Sequence, residues 1–147
     1  MPDYSQSSKI NCSPEKCFSA LTQHIKSWWS ERSEGQPNVV GSVFTVHFDK
    51  TFKTMKVIEL IDNHKVVWHC IDSYLDLDSL TNKSEWNDTK IEWAIEAFEN
   101  GILLKVTHLG LNESIGCYDA CEKGWNHFLT NSLIPFLESN TGNPFKA

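Results

Sequence analysis

His108 is the residue best placed to do chemistry. Within Ile102 to Leu109 it falls on the same strand face as Ile102, Leu104 and Val106. An imidazole there could orient a ligand by a hydrogen bond or act as a general base, because its pKa lies near neutrality. The competing reading is a core histidine bonded to the Gly110–Gly116 loop. It is favoured because no carboxylate partner is visible on the same face. Cys117 and Cys121 stand one helical turn apart and could present two thiolates to a metal. A structural zinc site takes four ligands, usually as two pairs, and His127 falls on a different face from Cys117. No metal site is expected. Asp72, Asp76, Asp78 and Glu85 lack the turn glycine of a calcium loop and read as a solvated acidic connection. No nucleophile elbow, phosphate-cradling glycine loop or paired-cysteine zinc motif occurs. No catalytic residue is assigned and no cofactor is expected.

The chain carries six Trp and eight Phe among 147 residues. Trp28, Trp29, Trp68, Trp93 and Trp125 could line a pocket for an apolar or aromatic ligand, with indole N–H groups as its few polar contacts. They could equally fill a core. Gly124, beside Trp125, reads as a packing glycine that lets a helix approach a sheet.

These side chains need elements to position them. An opening strand is expected over Ser7 to Asn11. Ser13 can then cap a helix that has Pro14 at its first position and Cys17, Phe18, Leu21 and Ile25 as its apolar stripe. Glu31 to Asn38 reads as a loop. A meander follows. Phe44, Val46 and Phe48 alternate in Gly41 to Phe48. Phe52 to Leu60 is a strand of blurred pattern. Val66, Trp68 and Cys70 share a face in Lys65 to Asp72. Ser73 to Asn87 is a polar connection. Ile91, Trp93 and Ile95 alternate in Lys90 to Phe98, and Glu99-Asn100-Gly101 reads as a hairpin turn. A long helix from about Cys117 to Asn140 places Cys121, Trp125, Phe128, Leu129, Ser132, Leu133 and Phe136 on one stripe. Pro135 should kink its last turns. The fold class is therefore α+β, with an antiparallel sheet packed against one long amphipathic helix.

The length favours a single domain over residues 1–147. A formal charge of −6 with no basic run argues against a sequence-blind nucleic-acid binder. No stretch approaches the ~20 apolar residues of a membrane span. Met1-Pro2-Asp3-Tyr4-Ser5 has neither a basic nor an apolar region, so a signal peptide is not expected and a cytoplasmic location is. Cys12, Cys17 and Cys70 lie in apolar patterns and read as small core residues.

Several segments, in this order, resemble one family over nearly the whole chain. They are Ser13-Pro14-Glu15-Lys16-Cys17-Phe18, Ala20-Leu21-Thr22, Trp28-Trp29, Gly41-Ser42-Val43-Phe44, Val57-Ile58-Glu59-Leu60 and Val66-Val67-Trp68. Glu85-Trp86-Asn87-Asp88-Thr89-Lys90-Ile91, Thr107-His108-Leu109-Gly110-Leu111, Cys121, Gly124-Trp125, Phe128-Leu129 and Ser132-Leu133 follow. The chain resembles the SRPBCC or START-like superfamily, most closely the domain shared with the C-terminal part of the activator of the heat-shock-protein-90 ATPase. The resemblance implies a helix-grip fold, in which a curved antiparallel sheet of six or seven strands grips the C-terminal helix, with short helices after the first strand. It also implies a hydrophobic cavity between sheet and helix. Asp88 stands where similar sequences often have a small turn residue, and Pro135 interrupts the grip helix. The sequence holds no counterpart of the separate N-terminal domain of the eukaryotic activator.

On this reading the cavity binds a small hydrophobic molecule, lipid-like or aromatic. Its candidate lining is Trp28, Phe44, Val46, Phe48, Trp68, Ile91, Trp93, Ile95, Leu104, Val106, His108, Cys121, Trp125 and Phe128. The alternatives are a co-chaperone or stress-response adaptor with a heat-shock chaperone as partner, and a cyclase- or hydrolase-type enzyme. The enzyme would need an acid–base pair, and His108 lacks the second member.

Overall fold

The computed structural model describes residues 2–146. Met1 and Ala147, the ends of the expected domain, lie outside the described residues. Seven strands form one sheet: β1 (Tyr4–Ile10), β2 (Ser33–Glu34), β3 (Val43–Phe48), β4 (Thr51–Ile61), β5 (Lys65–Tyr74), β6 (Lys90–Phe98) and β7 (Gly101–Leu109). Their order is β1-β7-β6-β5-β4-β3-β2, and every neighbouring pair is antiparallel. Helices α1 (Pro14–Gln23) and α2 (Ile25–Trp28) follow β1. A helix of 22 residues runs from Tyr118 to Ser139 and grips the sheet. This is the α+β helix-grip arrangement.

Local chemistry explains the boundaries. The Ser13 side chain accepts a hydrogen bond from the Lys16 N–H, and Pro14 occupies the first turn, where a missing N–H goes unnoticed. Strand β1 begins at Tyr4, three residues before the sequence suggests. Only Tyr4 and Ile10 of this edge strand are buried, so pairing with β7 defines it and periodicity does not. The short β2 falls inside the segment expected to be loop and pairs Ser33 and Glu34 with β3. Two register shifts, at Thr54/Met55 and Val57/Glu59, are the source of the blurred pattern in β4.

The β6–β7 hairpin differs from expectation in one respect. Its loop is Glu99-Asn100, with Glu99 at φ 55°, and Gly101 is already paired with Phe98. Glycine is required at 101 by the neighbouring strand. A Cβ there would stand 2.3 Å from the Ile10 carbonyl oxygen. Asp88 adopts φ 69°, the left-handed conformation that a small turn residue takes most easily.

The gripping helix has three parts: α3 (Tyr118–Phe128), a π-helical segment at Leu129–Leu133, and α4 (Ile134–Ser139). Pro135 cannot donate to a carbonyl one turn back, and its ring crowds that carbonyl. Here the chain widens the turn ahead of the proline in place of a simple kink after it. Asn140 ends the helix in the left-handed conformation at φ 58°. The following tail returns across the molecule. Phe145 bridges to Ser30, and its N–H donates to the Trp29 carbonyl at 2.9 Å.

Among the described residues, no helix is long and apolar enough to cross a membrane. Gly101→Ala is expected to lower the free energy of unfolding by about 1–3 kcal/mol, because a backbone oxygen must move to admit the methyl. Urea denaturation checks this; an unchanged midpoint would contradict the β1–β7 approach described.

Candidate functional site

All six tryptophans form one connected cluster. Trp28 stacks on Trp29, Trp29 stacks on Trp68 and Trp125, and Trp125 stacks on Trp86. Trp93 meets Trp28, Trp68 and Trp125 edge to face. Each such pair adds about 0.5–1.5 kcal/mol beyond burial. The cluster links α2, the sheet, the β5–β6 connection and α3 through their largest side chains.

His108 lies within this cluster and is fully buried. The Trp125 Nε1–H donates to His108 Nδ1 at 3.0 Å. The Thr89 hydroxyl donates to the Trp86 carbonyl at 2.6 Å, so its oxygen is left to accept from His108 Nε2–H at 2.9 Å. These partners assign the proton to Nε2 and satisfy both ring nitrogens with the ring neutral. Burial, then the positive charge of Lys53, lowers the His108 pKa to about 3. His108 thus relays position from β7 to α3. Its side-chain partners are Thr89 and Trp125, and the Gly110–Gly116 loop reaches only its backbone carbonyl, through the Leu111 N–H.

Beside the cluster lies a cavity of about 280 Å3. Phe48, Thr51 and Lys53 form its floor at the β3–β4 hairpin. Leu75, Leu77 and Trp86 of the β5–β6 connection form one wall. Ala120, Cys121, Gly124, Trp125 and Phe128 of α3 line it as well, together with Trp29 and Phe145. Of the fourteen expected lining residues, Phe48, Cys121, Trp125 and Phe128 border this space. Phe44, Val46, Trp68, Ile91, Trp93, Ile95, Leu104, Val106, His108 and Trp28 are packed away from it, in the core or at its margin.

Gly124 differs from its expected role. A Cβ built there meets no atom within 4 Å, so the residue opens space and does not bring helix and sheet together. In the acidic segment Asp72, Asp76 and Asp78 are exposed, as expected, but the β5–β6 connection is not polar throughout, because Leu75, Leu80 and Trp86 are buried. Within it the Glu85 carboxylate accepts the backbone N–H groups of Gly116 and Cys117, each at 2.9 Å, and so satisfies orphan donors at the start of α3.

Lys53 and Trp86 are the chief lining residues that pattern reading misses. Lys53 is the charged one. It pairs directly with buried Val46 across β3 and β4, and directly opposed residues share a face, so it points inward. Its ammonium lies 4.1 Å from the Trp86 ring centroid and 4.8 Å from that of Phe48. Burial lowers its pKa, and the thiols of Cys121, Cys70 and Cys117 oppose that shift. Cys121 accepts the Trp86 Nε1–H on sulfur at 3.1 Å. The Cys117 thiol, as donor, lowers the Cys121 pKa against the effect of burial, and Lys53 and Trp86 assist. The same contact, together with burial, raises Cys117. No cluster of three or more potential metal ligands occurs among the described residues.

Residues 11–138 match the family described as Activator of Hsp90 ATPase homolog 1-like protein. No curated protein matches the sequence. The solved Aha1 dimer of Colwellia psychrerythraea is similar at 29% identity and a TM-score of 0.80, covering 97% of this chain and 100% of that one. Protein SSP2350 of Staphylococcus saprophyticus is similar at 15% identity and a TM-score of 0.71, covering 98% of this chain and 99% of that one. Protein MLL2253 of Mesorhizobium loti follows at 19% identity and a TM-score of 0.68, covering 86% and 90%. At these lower identities the likeness is one of fold.

The His108 relay has a pH signature. Between the ordinary imidazole pKa of ~6.5 and the folded value of about 3, the unfolded chain binds a proton that the folded chain refuses. Its contribution is therefore complete above pH ~6.5 and declines as the pH falls, by up to about 1.4 kcal/mol per pH unit. His108→Gln should be less stable near neutrality and should lack this one-proton component. Equal pH slopes for parent and variant in urea unfolding would contradict the assignment.

Proposed function

Because the chain belongs to the Activator of Hsp90 ATPase homolog 1-like family, we propose that it works as a single START-like domain that holds a small hydrophobic ligand between sheet and grip helix. One observation carries this reading: an aromatic-walled cavity of about 280 Å3 into which Gly124 presents bare helix surface. That volume is near the lower end of the ~300–1,000 Å3 usual for ligand sites, which favours a compact ligand over a large one. Burial of its apolar body supplies about 25 cal/mol per Å2. Phe48, Cys121, Trp125 and Phe128 would touch it. His108 and the inward residues of β3 and β5–β7 would act from behind, by fixing the wall. A cytoplasmic location belongs to the same proposal.

Gly124→Leu tests the pocket without threatening the fold, since leucine is the better helix former by ~1 kcal/mol. Amide NMR titrations with fatty acids, sterols, flavonoids and short aromatic acids should give saturable shifts at Trp86, Gly124 and Trp125 in the parent chain. The variant should bind at least about tenfold more weakly, a difference of ~1.4 kcal/mol. Equal binding by both proteins, or no shifts in the parent, would overturn the pocket.

A second reading is favoured by the family description and by the 29% identity to the Aha1 protein. On this reading the chain is an adaptor of a heat-shock chaperone, and its outer surface acts while the cavity is structural. Pull-down with a chaperone of this class and an ATPase assay would then show equal stimulation by the parent and Gly124→Leu. No binding and no rate change would exclude it.

A further inference from the structure

We propose that the cavity selects a small apolar carboxylic acid, whose carboxylate docks on the Lys53 ammonium while its aromatic or aliphatic body lies among Trp29, Trp86, Trp125 and Phe128. The inference rests on the ligand-pocket reading and adds the chemical class of the ligand.

Three observations carry it. Among the described residues, Lys53 is the one charged residue in the cavity lining; the others are apolar, a threonine or a cysteine. No ion pair among the described residues reaches its ammonium. The rings of Trp86 and Phe48 fix the position of that ammonium, at 4.1 and 4.8 Å from their centroids. A half-buried cation held among aromatic faces with no carboxylate beside it gains from an anion that docks on it. The ionisable groups facing it are the thiols of Cys70, Cys117 and Cys121, of which Cys121 is the most acidic.

Two of the indole N–H groups at the cavity are already engaged. The Trp125 N–H is bound to His108 and the Trp86 N–H to Cys121. Lys53 is the charged anchor among the described lining residues. A single cation matches a monoanion. A phosphate-type dianion would bring a second charge with no partner into an apolar space. The docked carboxylate would form a charge-assisted hydrogen bond, shorter and stronger than one between neutral groups.

Isothermal titration calorimetry with matched probes tests the proposal: decanoate against decanol, and naphthylacetate against naphthylacetamide. The parent is expected to bind each carboxylate about tenfold or more tightly than its neutral counterpart. Lys53→Met should lose that preference while still binding the neutral probes, which shows that its pocket is intact. Lys53→Arg should keep much of the preference. Equal binding of acid and neutral probe by the parent would overturn the charge anchor and leave the hydrophobic pocket standing. An undiminished preference in Lys53→Met would overturn the role of Lys53. No binding of any probe by the parent would overturn both the anchor and the pocket beneath it.

Discussion

The grip helix is tied to the sheet by one chain of hydrogen bonds. Trp125 of α3 donates to His108 of β7, His108 donates to Thr89, and Thr89 donates to the Trp86 carbonyl. Each group has one available role, so no proton can be moved without leaving a buried acceptor or donor alone. The chain joins three elements that are distant in sequence. It sets the height of α3 above the strands and the position of Trp86 at the edge of the cavity. The stacked indoles then fill the space at that height, and the cavity is what their bulk and Gly124 leave open.

Charge is distributed unevenly around this frame. The protein has a formal charge of −6, yet the described cavity lining contains a lysine and no acid. Glu85 is nearby, but its carboxylate is occupied by the N–H groups of Gly116 and Cys117. The acidic group thus builds the start of α3, and the basic group is left facing the cavity. Cys121 stands between them, bound by the Trp86 N–H and drawn toward ionisation by the Cys117 thiol and Lys53.

The α+β class, the meander and the long helix were legible because their inward residues are apolar at regular spacing. Ile91, Trp93 and Ile95 on β6 face the same side as Leu104, Val106 and His108 on β7, and the register confirms each pairing. The cavity was less legible for a physical reason. Lys53 occupies an inward position, but a lysine in a strand reads as a solvent-facing residue, and the register shifts in β4 hide the alternation that would correct this. Trp86 lies in a connection without periodicity, so nothing local shows that it folds inward. Gly124 reads as a close-packing residue because glycine on a buried stripe often serves that end. Its actual role depends on the local distance between helix and sheet, which no single segment encodes. Gly101 reversed in the other direction, from a turn residue to a point of close strand approach.

The wide turn at Leu129–Leu133 has a consequence for comparing sequences. Buried positions along the helix recur at Cys121, Trp125, Leu129, Leu133 and Leu137, every fourth residue. A regular helix of 3.6 residues per turn would rotate such a row off the sheet; one π-helical turn absorbs most of the excess. The segment is in effect a one-residue insertion that leaves the buried row in phase. A homologue with a regular helix throughout must therefore align to this chain with a one-residue gap in mid-helix. That gap should be kept, since closing it would shift every residue on one side of it onto the wrong face.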